Sequence, residues 1–122
     1  RRKGVSDAQG TMFLRHSTAD ASANALDESG GEAVEVTTLD ADICEAVTLI
    51  KADIEGGEQK AVLGARNHIV SDHPKLLLSV YHNNEDLWKI PRMIDALCSE
   101  YAFHLRYRSS PIYPTEITLI AV

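Results

Sequence analysis

Apolar and polar residues alternate along Ala33-Val-Glu-Val-Thr-Thr-Leu39, the period of a strand with one face buried. Thr11-Met-Phe-Leu-Arg-His16 is a second such run, bounded by Gly10, and it can pair with the first across the segment between them. That segment, residues 17–32, mixes Ser, Ala, Asp, Asn and Gly without a period and reads as a loop. Upstream, a short stretch ends at Ser6-Asp7 before a turn through Ala8-Gln9-Gly10, and residues 40–46 allow one helical turn with Asp40 as N-cap. The apolar run from Val47 then passes through Asp53, Glu55 and a Gly56-Gly57 turn into a helical pattern. Ala61, Val62, Ala65 and Ile69 fall on one face of that helix. It ends at Ser71-Asp-His-Pro74, because the residue before a proline is pushed out of the helical region.

Lys75-Leu-Leu-Leu-Ser-Val-Tyr81 is almost continuously apolar, as in a strand covered on both faces. Leu87, Ile90, Ile94, Leu97, Cys98 and Tyr101 recur at helical spacing, with Pro91 placed to open the main helix at its first position. Residues 102–108 and 115–122 predict an antiparallel hairpin across Ser109-Ser-Pro-Ile-Tyr-Pro114. The order is strand, helix, strand, helix, hairpin. It predicts an α/β fold whose parallel strands are joined by right-handed crossovers, with an antiparallel last strand closing one edge.

In such sheets ligands sit outside the carboxyl ends of the strands. The strand over 48–55 puts Lys51, Asp53 and Glu55 on one side, and Glu58 follows one helical turn on. These carboxylates can accept hydrogen bonds from a ligand, hold a divalent cation or act as a base. Glu55 and Glu58 can equally serve only the helix N-terminus and its dipole. His82 follows the next buried strand, where it can act as a general base or cap the helix beyond together with Asn83 and Asn84. His16, His68, His73 and His104 form no ligand spacing and take surface or structural roles, and no metal ligand set is assigned. Trp88 and Tyr101 are expected to pack the helix.

The chain of 122 residues is the size of one domain, and a net charge of −6 disfavours a nucleic-acid partner. No apolar run approaches the roughly 18 residues that span a bilayer, so no membrane partner is expected. Cys44 and Cys98 read as packed, reduced thiols of a cytoplasmic protein, a single disulfide being the alternative. There is no G-x-G-x-x-G, phosphate loop, nucleophile elbow or zinc spacing.

Ile50-Lys-Ala-Asp-Ile-Glu-Gly-Gly-Glu58, followed by Val62-Leu-Gly-Ala65, resembles the signature of FkbM-type S-adenosylmethionine-dependent methyltransferases. Val36-Thr-Thr-Leu-Asp40 is similar to the segment that precedes it there, and Pro74-Lys-Leu-Leu-Leu-Ser-Val-Tyr-His82 to the strand that follows. Glu85-Asp-Leu-Trp88 resembles the next helix start, and Gly4-Val-Ser-Asp-Ala-Gln-Gly10 the family's segment after the third strand. The resemblance implies a single domain that is the C-terminal part of a Rossmann-like class I methyltransferase sheet. Residues 47–122 would supply strands four to seven, with 11–39 an inserted hairpin and loop. The glycine-rich cofactor loop and acidic ribose ligand of that family are not in this chain. An open sheet edge results, which the rest of a longer protein or a second copy would cover.

The resemblance implies S-adenosylmethionine as cofactor and a small molecule or sugar hydroxyl as acceptor. Asp53 and His82 would line the acceptor side, Glu55 and Glu58 would position them or a cation, and Ser6 and Asp7 would contact the adenine. The chain alone is expected to bind the cofactor poorly. Two other readings stand beside this one. The first is a non-catalytic α/β interaction module that kept the sheet and lost the cofactor half. The second is a metal-dependent hydrolase on Asp53, Glu55 and Glu58, which lacks nearby histidine ligands in the sequence.

Overall fold

The alternating run at residues 33–39 becomes the centre of a first sheet. The structure, a computed structural model, describes residues 2–15, 25–28, 30–108 and 116–122. Four strands, β1 (Gly4–Val5), β2 (Gly10–Arg15), β3 (Ala25–Asp27) and β4 (Glu32–Thr37), lie in the order β1-β4-β2-β3. β1 is parallel to β4, and β2 is antiparallel to both β4 and β3. The expected pairing of the two alternating runs is therefore observed, with Met12 opposite Val34. β3 lies inside the stretch read as loop, where three residues are too few to show a period. The remainder of that stretch, residues 17–24 and 29, lies outside the described residues, as does the 109–115 connection.

A one-turn helix, α1 (Leu39–Asp42), follows. Its N-cap is Thr38, not Asp40: the Thr38 hydroxyl accepts the Ala41 N–H at 3.1 Å. Asp40 faces another helix, α3 (Arg66–Asp72), and accepts the N–H groups of Asn67 (3.0 Å) and His68 (3.2 Å) in its first turn. Both residues are good caps, and the backbone turn rather than composition decides which helix each serves.

The second sheet contains β5 (Leu49–Ala52), β6 (Lys75–Ser79), β7 (Phe103–Tyr107) and β8 (Ile117–Ala121), in the order β5-β6-β8-β7. β5 and β6 are parallel, and β8 is antiparallel to β6 and to β7. The chain thus forms two mixed sheets where the sequence led to one mainly parallel sheet. The antiparallel last strand is not at the edge: β8 sits between β6 and β7, and β7 is outermost. β5 is the opposite edge, and Leu49 on it is 54% exposed.

Helix α2 (Glu58–Gly64) and α3 share the single predicted helix. Ala65, with φ −114°, breaks it, and Ala61, Val62, Ala65 and Ile69 are all buried as the pattern required. Gly64 packs closely against the end of the first sheet: an added Cβ there would clash with the Ser6 carbonyl oxygen. Helix α4 (Asp86–Leu97) starts five residues before Pro91, which lies inside it. Asp86 sets that start, accepting the Asn83 N–H (3.2 Å) and side-chain amide (2.9 Å), and the Gln59 amide at 2.6 Å ties it to α2. The ring removes one helical N–H whose acceptor would be the carbonyl of Leu87, a 43% exposed residue.

The core joins Val62, Ala65 and Ile69 to Leu76, Leu78 and Val80 of β6 and its extension, Ile90 and Ile94 of α4, and Leu119 and Ala121 of β8. Tyr101 belongs to it and donates to the Pro74 carbonyl at 2.8 Å. Trp88 does not pack as expected; it is 55% exposed. Both cysteines are free, and Cys44 is exposed rather than packed. Among the described residues no helix is long and apolar enough to cross a membrane.

Candidate active site

β5 ends at Ala52, and the chain must then turn into α2. It does so through two consecutive left-handed residues, Glu55 (φ 53°) and Gly56 (φ 95°). Gly56 is required there, since only glycine takes such an angle without strain, and its carbonyl accepts the Asn83 amide at 3.4 Å. A non-glycine residue in this conformation stores strain, a feature concentrated at functional sites. The turn ends the strict alternation of β5 and redirects the Glu55 side chain.

Glu58, the first residue of α2, is fully buried. Its Oε1 accepts the Ile54 N–H at 2.8 Å and its Oε2 the Gly56 N–H at 3.1 Å, so the carboxylate clamps the turn from behind. The same Oε1 lies 3.0 Å from His82 Nδ1. With two backbone N–H groups already directed at Glu58, the shared proton is assigned to Nδ1. The other ring nitrogen, Nε2, is buried without a hydrogen-bond partner, 3.5 Å from Asp53 Oδ1 and 3.6 Å from Glu55 Oε2. Tyr81 stacks on the His82 ring at 4.2 Å and donates its hydroxyl to Asp53 Oδ1 at 3.3 Å. Burial, and after it the Asp53 charge, hold the Tyr81 hydroxyl above its ordinary pKa, which keeps it a donor.

The fold therefore brings Asp53, Glu55, Glu58 and His82 together, in layers. Asp53 and Glu55 border a cavity of about 710 Å³ between the two sheets, with Met12, Leu14, Leu26 and Val34 on its apolar side. His82 and Glu58 stand behind them and do not line that cavity. Ser6 borders the cavity but Asp7 does not: it faces a separate depression with Thr38, Asp40 and Arg66. Ser6 is committed within the chain, its N–H to the Thr37 carbonyl (2.9 Å) and its hydroxyl to Asp7 Oδ1 (3.0 Å). Tyr81 was not singled out from the sequence; its place beside His82 at the end of an apolar run is the signal that could have found it. The hydrolase reading lacks a nearby histidine in the sequence, and the fold supplies one in His82.

His68 has a structural place. Its Nδ1 is 2.7 Å from Asp72 Oδ2 and its Nε2 3.2 Å from the Ile43 carbonyl, and Asp72 Oδ2 also accepts the Val47 N–H at 2.9 Å. The Asp72 hydrogen bond raises the His68 pKa. The Val47 N–H, followed by His68, lowers that of Asp72.

A mixed α/β domain with an acidic turn facing an inter-sheet cavity is a framework shared by many enzymes, and the comparisons with known proteins narrow it. The sequence model of the family described as "Methyltransferase FkbM domain" matches residues 2–108, and the chain belongs to that family. It is similar to the crystal structure of methyltransferase FkbM from Methylobacillus flagellatus KT, with 27% sequence identity and a TM-score of 0.76. The match covers 98% of this chain and 27% of that one, so the chain spans about a quarter of the length of that relative. No curated protein matches it.

Proposed function

We propose that this chain is the acceptor-facing part of an S-adenosylmethionine-dependent methyltransferase acting on a hydroxyl of a small molecule or sugar. Membership of the FkbM methyltransferase family supports the reaction class. The observation that carries the site is the layered cluster at the end of β5, with Asp53 and Glu55 on the cavity and the Glu58–His82 pair behind. In this reading β5 to β8 are the C-terminal portion of a Rossmann-like sheet. The free edge of β5 is where the remainder of that sheet, or a second copy, adds.

The residues present do not by themselves make a cofactor cradle, because Ser6 is already bonded within the chain and Asp7 lies off the cavity. The cofactor, bound chiefly by the rest of the protein, supplies an electrophilic methyl group. This chain's task is the acceptor. Asp53 has the most exposed carboxylate of the cluster, 45% for its side chain. Its Oδ1 is held by Tyr81, and its second oxygen is the one that receives the hydroxyl proton. The Tyr81 hydroxyl keeps the carboxylate in one orientation, the geometric condition for methyl transfer. In the full-length enzyme, Asp53→Asn should lower kcat at least tenfold while leaving the unfolding transition in place. Unchanged turnover would remove Asp53 from this role.

A further inference from the structure

His82 is the one strongly buried group of the cluster whose bonding is incomplete. Its side chain is only 9% exposed, and Nδ1 is satisfied by Glu58. Nε2, the ring nitrogen away from that bond, faces two carboxylate oxygens. Nε2 itself is buried, and the two carboxylates that confront it are partly exposed, an arrangement that a positive charge between them would stabilise. No Lys or Arg among the described residues makes an ion pair with Asp53, Glu55 or Glu58. Nε2 makes no hydrogen bond to either carboxylate. The observed separations of 3.5 and 3.6 Å are close to the edge of about 3.4 Å expected for a tetrahedron with metal–ligand bonds near 2.1 Å. Asp53, Glu58 and His82 each bring a ligand atom within 4.8 Å of one another.

We propose that His82 Nε2 and Asp53 hold a divalent first-row cation, that the exposed Glu55 side chain turns to complete the set, and that Glu58 is the outer partner that fixes the ring. Carboxylate–histidine–metal is a recurrent arrangement, and the Glu58–Nδ1 bond already sets the tautomer that a metal at Nε2 requires. One imidazole with two carboxylates suits Mn²⁺ or Zn²⁺ better than Ca²⁺, which takes oxygen alone, or Cu(I), which prefers sulfur. Such an ion would offset the acidic turn and polarise a hydroxyl brought to the cavity. As a statement about the acceptor side of a methyltransferase this rests on the reading above; as a statement about cation binding it is measured without turnover.

The test is titration of the metal-free 122-residue chain with MnCl₂, following free Mn²⁺ by electron paramagnetic resonance. Mn²⁺ is chosen because a second group, His73, Cys98 and Glu100, includes a thiol that would attract Zn²⁺. The expected result is one equivalent bound per chain. The site should be lost in Asp53→Asn/Glu55→Gln, weakened about 10–100-fold in Glu58→Gln, and unchanged in Cys98→Ser. Asp53 and Glu55 are exposed residues, so their double variant keeps its circular dichroism spectrum and separates ligand loss from unfolding. No bound Mn²⁺, or equal binding in that double variant, overturns the proposal. Mn²⁺ bound as expected, with no methyl transfer by the full-length enzyme, leaves the cation site standing and overturns only the functional reading.

Discussion

Glu58→Gln is the substitution that most directly tests how the acidic turn is held. The carboxylate is fully buried and accepts three donors: Ile54 N–H, Gly56 N–H and His82 Nδ1. A glutamine keeps one oxygen. Wherever that oxygen is placed, the amide nitrogen meets a backbone N–H, so one charge-assisted bond is lost and a donor is left facing a donor. A hydrogen bond to a charged group contributes about 1.5–3 kcal/mol, and the remaining bonds fall to neutral strength, roughly half. Removing a buried charge works in the opposite sense, because its desolvation cost disappears. With three good donors already in place that cost is largely offset in the native protein, so the bond losses should win. The expected net loss is about 2–4 kcal/mol, a large part of the roughly 5–15 kcal/mol that holds a domain together. Urea unfolding followed by circular dichroism measures it. A neutral or stabilising effect would refute the picture of Glu58 as the clamp of the turn.

Gly64→Ala should also destabilise. Its Cβ would clash with the carbonyl of Ser6, a residue held by its N–H bond to Thr37, so overpacking of about 1–3 kcal/mol or more outweighs the helix-propensity gain of about 1 kcal/mol. An unchanged melting temperature would show that the two sheets are not locked at this point. The His68–Asp72 clamp should be pH-dependent. His68 has a raised pKa, so its contribution is full below its ordinary value of 6.5 and fades as pH rises through the folded value. Asp72 has a lowered pKa, so its contribution is present above its ordinary 3.8 and is lost as pH falls through the folded value. The stability difference between wild type and His68→Gln should therefore be greatest between those two ordinary values and shrink on either side. A pH series of urea midpoints showing a flat difference would exclude the clamp. Finally, isothermal titration of the 122-residue chain with S-adenosylmethionine should give no micromolar binding, and such binding would show that the cradle is complete without the rest of the protein.

Much of the fold was legible because its signals are local. The alternation at 33–39 and the apolar run at 75–81 each require one kind of burial, and both became strands. The helix faces followed from spacing, except at Leu87, which the pattern put inside and which is 43% exposed. What was not legible depends on distant partners. Pro91 argued for a helix starting there, but Gln59 and Asn83 make Asp86 a better start, and an exposed Leu87 carbonyl tolerates the missing donor. Asp40 looked like the cap of its own turn and instead caps a helix 27 residues away. In the site, the sequence placed Asp53, Glu55 and Glu58 at one strand end and His82 at the end of the next strand. It did not show the layering, since Glu55 turns left-handed and Glu58 is drawn inward by two backbone N–H groups.

The interior position of β8 bears on how the chain comes into being. β6 emerges from the ribosome well before its inner neighbour, and β7 cannot dock on β6 directly because β8 belongs between them. Until residues 117–121 are available, the edge of β6 at Leu76–Leu78 is open to any other extended chain. Completion of this sheet must therefore wait for the end of translation of this segment, when the hairpin can insert as a unit.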